Sequence, residues 1–249
     1  MNPLRVFIGY DSTQPAAYHV LAHSILRRAS MPVSITPLAL NQLKPAIYRR
    51  ERTPFESTEF SMTRFLVPYL SDYWGTSIYM DCDMLCLTDL AQIWREMEGD
   101  KAVWCCQHDY EPKSGEKMHG AVQTRYPRKN WSSFIVFNNE RCRVLTPRYV
   151  NNAPGTDLHR FAWLKDEEIG ALSLDLNHLV GEYPQRDTAR ILHWTLGGPW
   201  LGGYENTDYA EIWRAERAHM LGSSSESPSK EAPCTSTAQR ASASSMATP

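Results

Sequence analysis

The first forty residues alternate between strand-like and helix-like segments, and this alternation limits the folds that are open to the chain. Residues 5–10 form a short apolar run that ends at the polar turn Asp11-Ser12-Thr13. Residues 14–28 carry apolar side chains at helical spacing, and residues 33–38 form a second strand-like run. A strand, a helix and a strand in this order predict a parallel sheet covered by helices, which is the α/β class.

The same periodicities assign secondary structure to the rest of the chain. Further strands are predicted at residues 77–80, 102–107, 134–137 and 189–194. Helices are predicted at residues 62–70, 90–97, 141–150, 158–164 and 209–221, with Asp89 as a cap. Residues 108–129 contain few aliphatic side chains, and a loop of this length within a compact domain is usually functional or disordered.

Composition divides the chain into two parts. Residues 222–249 read GSSSESPSKEAPCTSTAQRASASSMATP and contain no Ile, Leu, Val or aromatic residue. Such a segment cannot bury enough apolar surface to offset the entropy lost on ordering. Residues 1–221 are numerous enough for a self-sufficient core. We therefore predict one domain over 1–221 and a disordered, low-complexity Ser-rich tail over 222–249.

Charge, hydropathy and cysteine usage exclude several classes of protein. A net charge of −2 over 249 residues argues against a nucleic-acid partner, which would require clustered Lys and Arg. No run of about 18 apolar residues is present to span a bilayer, and a strand that starts by Leu4 leaves no room for a signal peptide. The six cysteines form no C-x-x-C pair, which favours buried reduced thiols. A cytoplasmic location is expected.

Two carboxylates follow the strand predicted at residues 77–80. Asp81 and Asp83 are two positions apart on an extended segment, so both side chains should point the same way, with Cys82 opposite. Neighbouring carboxylates repel each other unless a cation lies beside them, and Mg²⁺ or Mn²⁺ prefers oxygen ligands. The alternative is a pair of solvated aspartates in a turn. Apolar runs on both sides make uncompensated charges costly there, so the pattern favours a metal site.

Four blocks of the sequence resemble motifs of one known family. The segment IYMDCDML, followed by Asp89-Leu90 and Trp94, resembles the YLDxDxLVxxDLxxLW motif of family 8 glycosyltransferases, a group that includes glycogenin and bacterial lipopolysaccharide galactosyl- and glucosyltransferases. Residues 6–11 resemble the first strand of that family. SMTRF with PYL resembles its YARLxIPxLL helix, and ILHW with GPW resembles its closing xxHFxGxxKPW motif.

The resemblance implies the GT-A fold, an α/β architecture with a mainly parallel central sheet flanked by helices. It implies transfer, with retention, of a hexose-type sugar from a nucleotide-sugar donor, first of all a UDP-sugar. The acceptor would be a glycan, a lipid-linked sugar or a protein, and peripheral membrane contact stays open. The cofactor implied is Mn²⁺, with Mg²⁺ as the alternative, and its ligands would be Asp81, Asp83 and His193. An imidazole beside two carboxylates suits Mn²⁺ somewhat better than Mg²⁺.

The resemblance also implies roles for further residues. Contacts to the nucleotide and donor would come from Tyr10, Asp11, Arg64, Ser132, Ser133, Gly198 and Trp200. Asp157 takes the first position of the DQD element of the family and joins Asp81 and Asp83 as a catalytic candidate.

The chain departs from the family at three of these positions. The sugar-binding FNxG segment of the family is replaced here by Asn130-Trp131-Ser132-Ser133, whose small hydroxyl residues would let a sugar approach closely. Gly198 stands where the family has Lys, so the diphosphate charge must be met by Arg64, Arg190 or the N–H groups of the turn at 197–198. The Gln of the DQD element is missing after Asp157. The acidic residues at 166–168 compete for that element, and their alternative interpretation is a solvated charged turn.

Two other functions fit parts of the sequence. A nucleotide-sugar- or carbohydrate-binding protein that keeps the GT-A fold without catalysis would account for the missing Lys and Gln. A Mg²⁺-dependent phosphatase of the haloacid-dehalogenase type also places a D-x-D pair after an apolar strand. That family carries the pair at its first strand, whereas here the pair begins at Asp81.

Overall fold

The computed structural model describes residues 2–53, 56, 58–109 and 128–223. Most of the loop predicted at 108–129 lies outside the described residues, as does all but the first two residues of the tail predicted at 222–249.

Within the described residues the chain forms nine strands. They are β1 (Leu4–Tyr10), β2 (Val33–Ala39), β3 (Thr76–Met80), β4 (Met84–Cys86), β5 (Val103–Cys106), β6 (Phe134–Asn138), β7 (Ile169–Leu172), β8 (His178–Leu179) and β9 (Ile191–His193). Six of them form a central sheet in the order β2-β1-β3-β6-β5-β7. Only β6 runs against its neighbours in this sheet, which confirms the predicted, mainly parallel α/β architecture.

The edge strand β7 is absent from the sequence-based prediction. Its central residues Gly170 and Ala171 have little β-propensity. Gly170 is required for packing, because a Cβ there would lie 2.2 Å from the indole of Trp104 on the neighbouring β5. The close approach of the two strands requires glycine here, and glycine weakens the sequence pattern that would otherwise predict a strand.

A second sheet of three strands has the order β4-β9-β8. β4 is antiparallel to β9, and β8 is parallel to β9. The chain leaves the central sheet at Met80 and enters the second sheet at Met84. Asp81 and Asp83 therefore lie in the turn that joins the two sheets, beside the end of β9.

The helices pack against the sheets and against one another. They are α1 (Pro15–Arg28), α2 (Leu40–Leu43), α3 (Val67–Leu70), α4 (Pro147–Asn152), α5 (Gly155–His159) and α6 (Ala210–Met220). Where single helices were expected at 62–70 and 90–97, the chain forms 3-10 turns at Thr63–Leu66 and Leu90–Arg95, the first continuing into α3. Pro68 lies in the first turn of α3, where a missing N–H costs no helical hydrogen bond. Asp89 caps its turn as predicted, accepting from Ala91 N at 3.0 Å.

Ion pairs hold α6 against α1. The carboxylate of Glu216 is buried and lies 2.7 Å from His23, 3.0 Å from Arg27 and 2.9 Å from Arg28. No helix in the described part of the chain is long and apolar enough to cross a membrane. The five cysteines of this part are buried thiols, as the sequence predicts.

Candidate metal centre

Asp81, Asp83 and His193 converge where the two sheets meet. All three side chains are buried, and their candidate ligand atoms lie within 4.8 Å of one another. The two aspartates face the same site, as their spacing predicts, and Cys82 between them is packed in the core. Pairing of β9 with β4 places His193 opposite Met84, next to Asp83. The fold thus brings together the three residues predicted to bind a metal ion.

Asp81 is held by two donors. Its Oδ1 accepts a hydrogen bond of 2.6 Å from the Tyr79 hydroxyl and lies 2.9 Å from Arg64 Nη1. Tyr79 lies two residues before Asp81, so both side chains emerge on the same side of the segment. Burial raises the pKa of the Asp81 carboxyl and Asp83 adds to this rise, whereas Arg64, His193 and the Tyr79 hydrogen bond oppose it.

Arg64 is itself buried and contacts several neighbouring groups. Its Nε donates to Ser61 O at 3.0 Å, and its Nη1 donates to Ser132 O at 2.8 Å. The guanidinium carbon lies 5.0 Å from the ring centroid of Tyr79 and 5.7 Å from that of Phe60, a cation–π arrangement. Arg64 therefore fixes the Asp81 carboxylate, while its predicted contact with a donor molecule stays a prediction.

Asp83 differs from Asp81 in its surroundings. Although Asp83 Oδ1 is buried, it accepts no hydrogen bond from any residue that the structure describes. The imidazole of His193 lies beside it, with Nε2 at 3.3 Å. A buried carboxylate oxygen without a donor is costly, and a bound cation would remove that cost. Two carboxylates and an imidazole are suitable ligands for Mn²⁺ or Mg²⁺, so the residues present fit a divalent metal ion.

Ser132 and Ser133 link the surroundings of the two aspartates. The Ser133 carbonyl accepts from Asp81 N at 3.0 Å, because β6 and β3 are antiparallel neighbours. Ser132 Oγ lies 2.8 Å from His159 Nδ1, and Ser133 Oγ lies 2.8 Å from Asn177 Nδ2. Both hydroxyls predicted to contact the donor sugar are thus bonded to other side chains. Neither His159 nor Asn177 was predicted as a site residue.

The predicted catalytic candidate Asp157 lies in α5 with its carboxylate 2.8 Å from Arg160. His159 lies two residues further on, and side chains at this spacing do not share a helix face. It is His159 that reaches Ser132, whereas Asp157 has no described contact with Asp81, Asp83 or His193. The competing residue Asp166 is 83% exposed at its side chain and pairs with Arg128, as a solvated charged turn would.

The end of β1 supplies two of the predicted nucleotide contacts. Asp11 is buried and accepts from the main chain and hydroxyl of Thr13 and from Glu59 N, so its carboxylate shapes the loop after the strand. Tyr10 packs edge-to-face against Tyr18 in α1. These contacts fix both residues at the carboxyl edge of the sheet, where open α/β folds place ligands.

Packing explains why glycine stands at position 198. A Cβ on Gly198 would lie 2.2 Å from the indole of Trp200. The Trp200 indole donates to Gln14 Oε1 at 2.9 Å and packs against Trp194 and Trp213. Trp200 therefore joins the segment after β9 to the start of α1, and a longer side chain at position 198 would require this ring to move.

Of the cations considered for the diphosphate, Arg190 is engaged elsewhere. Its Nη1 donates to Glu96, and the two side chains form an ion pair. This hydrogen bond raises the pKa of the Arg190 guanidinium. The Gly197 N–H also donates within the chain, to Trp194 O at 3.1 Å.

Comparison with known proteins gives a relative in sequence. No protein-family model matches the chain. The chain is 45% identical over 223 residues to Protein CDI of Arabidopsis thaliana, and the match covers 86% of each protein.

Comparison with solved structures gives the fold. The bifunctional glycosyltransferase WbbM matches with a TM-score of 0.62 and 14% identity, over 89% of this chain and 51% of WbbM. The glycosyltransferase GlyE of Streptococcus pneumoniae TIGR4 matches with a TM-score of 0.56 and 15% identity, over 89% of this chain and 62% of GlyE. The galactosyltransferase LgtC, in complex with donor and acceptor sugar analogs, matches with a TM-score of 0.51 and 12% identity, over 91% of this chain and 98% of LgtC. The chain thus spans about half of WbbM, under two thirds of GlyE and nearly all of LgtC, and it has the expected GT-A fold.

Proposed function

The chain belongs to the same family as Arabidopsis thaliana Protein CDI and has the GT-A fold of glycosyltransferases, and on this basis we propose that it is a metal-dependent glycosyltransferase. It would move a hexose-type sugar from a nucleotide-sugar donor, a UDP-sugar, to an acceptor. The observation that carries this proposal is the buried group of Asp81, Asp83 and His193 at the junction of the two sheets. Asp81 has Arg64 as a cationic partner, whereas the buried Asp83 Oδ1 has no described donor, and a bound cation would remove the cost of burying it.

Asp81, Asp83 and His193 would hold Mn²⁺, or Mg²⁺ as the alternative, which when bound neutralises the negative charge that develops on the departing diphosphate. Arg64 and Tyr79 keep the Asp81 carboxylate in place before any ligand arrives. This preorganisation lowers the cost of bringing a diphosphate to the site.

The donor would lie along the carboxyl edge of the sheet. We assign the nucleotide to Tyr10 and Asp11, which the loop after β1 fixes at this edge. The sugar would lie near Ser132 and Ser133, with Asp157 as the candidate for sugar hydroxyls. Because Arg190 is paired with Glu96, the diphosphate would rely on the Gly198 N–H, the surroundings of Trp200 and Arg64, whose charge Asp81 and the diphosphate would share.

The remaining parts of the proposal rest on the resemblance and on composition. The acceptor would be a glycan, a lipid-linked sugar or a protein, and the transfer would retain the anomeric configuration. Residues 1–221 would carry the activity in the cytoplasm, and residues 222–249 would be a tail outside it.

A screen of nucleotide sugars tests the proposal without knowledge of the acceptor. Glycosyltransferases commonly transfer the donor sugar slowly to water, so the full chain should hydrolyse one UDP-sugar in the presence of Mn²⁺ and not in the presence of a chelator. Asp83→Asn should remove the hydrolysis, and Asp166→Asn, at an exposed aspartate, should preserve it. Failure to hydrolyse or bind any nucleotide sugar with Mn²⁺ would overturn the proposal.

A binding protein without catalysis is the second candidate, and one observation favours it. Gly198 stands where the family that the sequence resembles has lysine, and Trp200 occupies the space into which a lysine side chain would extend. Such a protein would bind UDP with Mn²⁺ and show no turnover in the same screen. A phosphatase of the haloacid-dehalogenase type would instead hydrolyse phosphomonoesters, and the GT-A fold lends it no support.

A further inference from the structure

Asn177 is a fully buried amide that contacts one of the three candidate metal ligands. It ends the 3-10 turn Leu174–Asn177, directly before β8. Its Oδ1 lies 2.8 Å from His193 Nδ1. On its other side, Nδ2 lies 2.8 Å from Ser133 Oγ and 3.4 Å from Asn130 O.

These contacts determine which way the amide faces. Ser133 Oγ donates its hydrogen to Asn130 O at 2.7 Å, so it accepts from Asn177. Asn130 O is a carbonyl and can only accept. The nitrogen of the Asn177 amide therefore faces two acceptors, and its oxygen faces the imidazole of His193.

The orientation of the amide determines the tautomer of His193. Because Asn177 Oδ1 only accepts, His193 Nδ1 must carry the hydrogen of this bond. A neutral imidazole has one N–H, so Nε2 is left with a lone pair. Nε2 is the atom that lies 3.3 Å from Asp83 Oδ1, the buried oxygen without a described donor.

We propose that Asn177 is a positioning residue that holds His193 in the tautomer whose Nε2 binds a divalent cation together with Asp83. This inference rests on the proposed metal-dependent function. With the other tautomer, Nε2–H would donate to Asp83 Oδ1 and both ligands would be satisfied without a cation. Asn177 prevents this by retaining the single hydrogen of the ring on Nδ1.

Ser133 extends this role of Asn177 to the other aspartate. Its carbonyl accepts from Asp81 N at 3.0 Å, while its hydroxyl accepts from Asn177. Ser133 therefore connects the main chain of Asp81 to the imidazole of His193 through the side-chain amide of Asn177. The relative placement of the two sides of the site depends on this connection.

Mn²⁺ titration of the full chain measures the effect on the site. Asn177→Leu keeps the branching of the side chain at Cγ and removes its hydrogen bonds to His193, Ser133 and Asn130, and we expect a dissociation constant for Mn²⁺ about 10- to 100-fold higher. Asn177→Asp keeps an acceptor for Nδ1–H and should retain most of the affinity. Asn139→Leu is the matched control, because Asn139 is equally buried but donates to Trp74 O and Ser77 Oγ. Its Mn²⁺ affinity should equal that of the wild type.

Nitrogen-15 NMR of labelled histidines provides a readout without metal. In the metal-free wild type at pH 8, His193, assigned with His193→Gln, should show a protonated Nδ1 and an unprotonated Nε2. Asn177→Leu should shift the proton towards Nε2. A wild type with the proton on Nε2, or equal Mn²⁺ affinity in the wild type and Asn177→Leu, would overturn the role of Asn177. A wild type that binds no Mn²⁺ would instead overturn the proposed function.

Discussion

Arg64 Nη1 lies 2.9 Å from Asp81 Oδ1 and both side chains are buried, so this carboxylate has a cationic partner within the protein. Asp83, two residues later, has no described donor at Oδ1. The two aspartates of the D-x-D pair are therefore not equivalent. Asp81 is compensated and held in place, whereas Asp83 depends on a ligand for its compensation.

This difference predicts opposite effects of Asp83→Asn with and without ligand. In the wild type, UDP and Mn²⁺ at about 100 times their dissociation constant add ~2.7 kcal/mol, a rise in Tm of roughly 5–10 °C. Asp83→Asn should lose this rise because the cation loses a ligand. Without metal the variant should be as stable as the wild type or more so, because it no longer buries an uncompensated charge. Thermal unfolding with and without UDP and Mn²⁺ measures both effects.

Asp166→Asn serves as the control, since the side chain of Asp166 is 83% exposed and pairs with Arg128 at the surface. Its response to UDP and Mn²⁺ should match that of the wild type. A wild type whose Tm is the same with and without UDP and Mn²⁺ would contradict the prediction.

Arg64→Met should destabilise the metal-free protein, because Asp81, unlike Asp83, depends on a partner within the protein. Removal of one partner from a buried ion pair leaves the other charge uncompensated, at a cost of about 3–5 kcal/mol. Urea unfolding of metal-free protein measures this loss, and Arg217→Met, at an exposed position of α6, should change stability by less than about 0.5 kcal/mol. Combining Arg64→Met with Asp81→Asn should recover part of the loss. Additive effects of the two substitutions would show that the pair contributes no coupling.

Gly198→Ala should be destabilising in spite of its small size. The added Cβ would lie 2.2 Å from the Trp200 ring, which Gln14, Trp194 and Trp213 hold in place. Overpacking of this kind costs roughly 1–3 kcal/mol. Gly202→Ala is the matched control, because no heavy atom lies within 4 Å of its added Cβ. Chemical denaturation of both variants measures the difference, and equal stabilities would contradict the proposed clash.

The carboxylates of the site follow from local pattern alone, and their surroundings do not. Asp81 and Asp83 are recognisable because two charges follow an apolar strand at a spacing that aligns them. His193 required the GPW block after it. Asn177 and His159 were missed because they reach the site through the pairing of β8 with β9 and through a short helix. Periodicity does not specify which strands pair or where a five-residue helix points.

His159 predicts a pH dependence of stability. Burial, followed by the charges of Arg64 and Arg50, lowers the pKa of His159 to about 3. In the unfolded chain, His159 has the ordinary histidine pKa of about 6.5. Between about pH 3 and 6.5 the unfolded chain therefore binds more protons at this residue than the folded protein does. The contribution of His159 to stability is therefore complete above pH 6.5 and is lost as the pH falls. At pH 5 the loss is on the order of 2 kcal/mol.

Urea unfolding at pH 7 and pH 5 measures this contribution. His159→Asn retains a hydrogen-bonding atom near the position of Nδ1, which lies 2.8 Å from Ser132 Oγ, and removes the titrating ring. The variant should therefore lose less stability than the wild type when the pH is lowered. His219→Asn in α6 is the control, since His219 is exposed and its replacement should leave the pH dependence unchanged. The same loss of stability in the wild type and in His159→Asn would show that the folded protein protonates His159 as readily as the unfolded chain does.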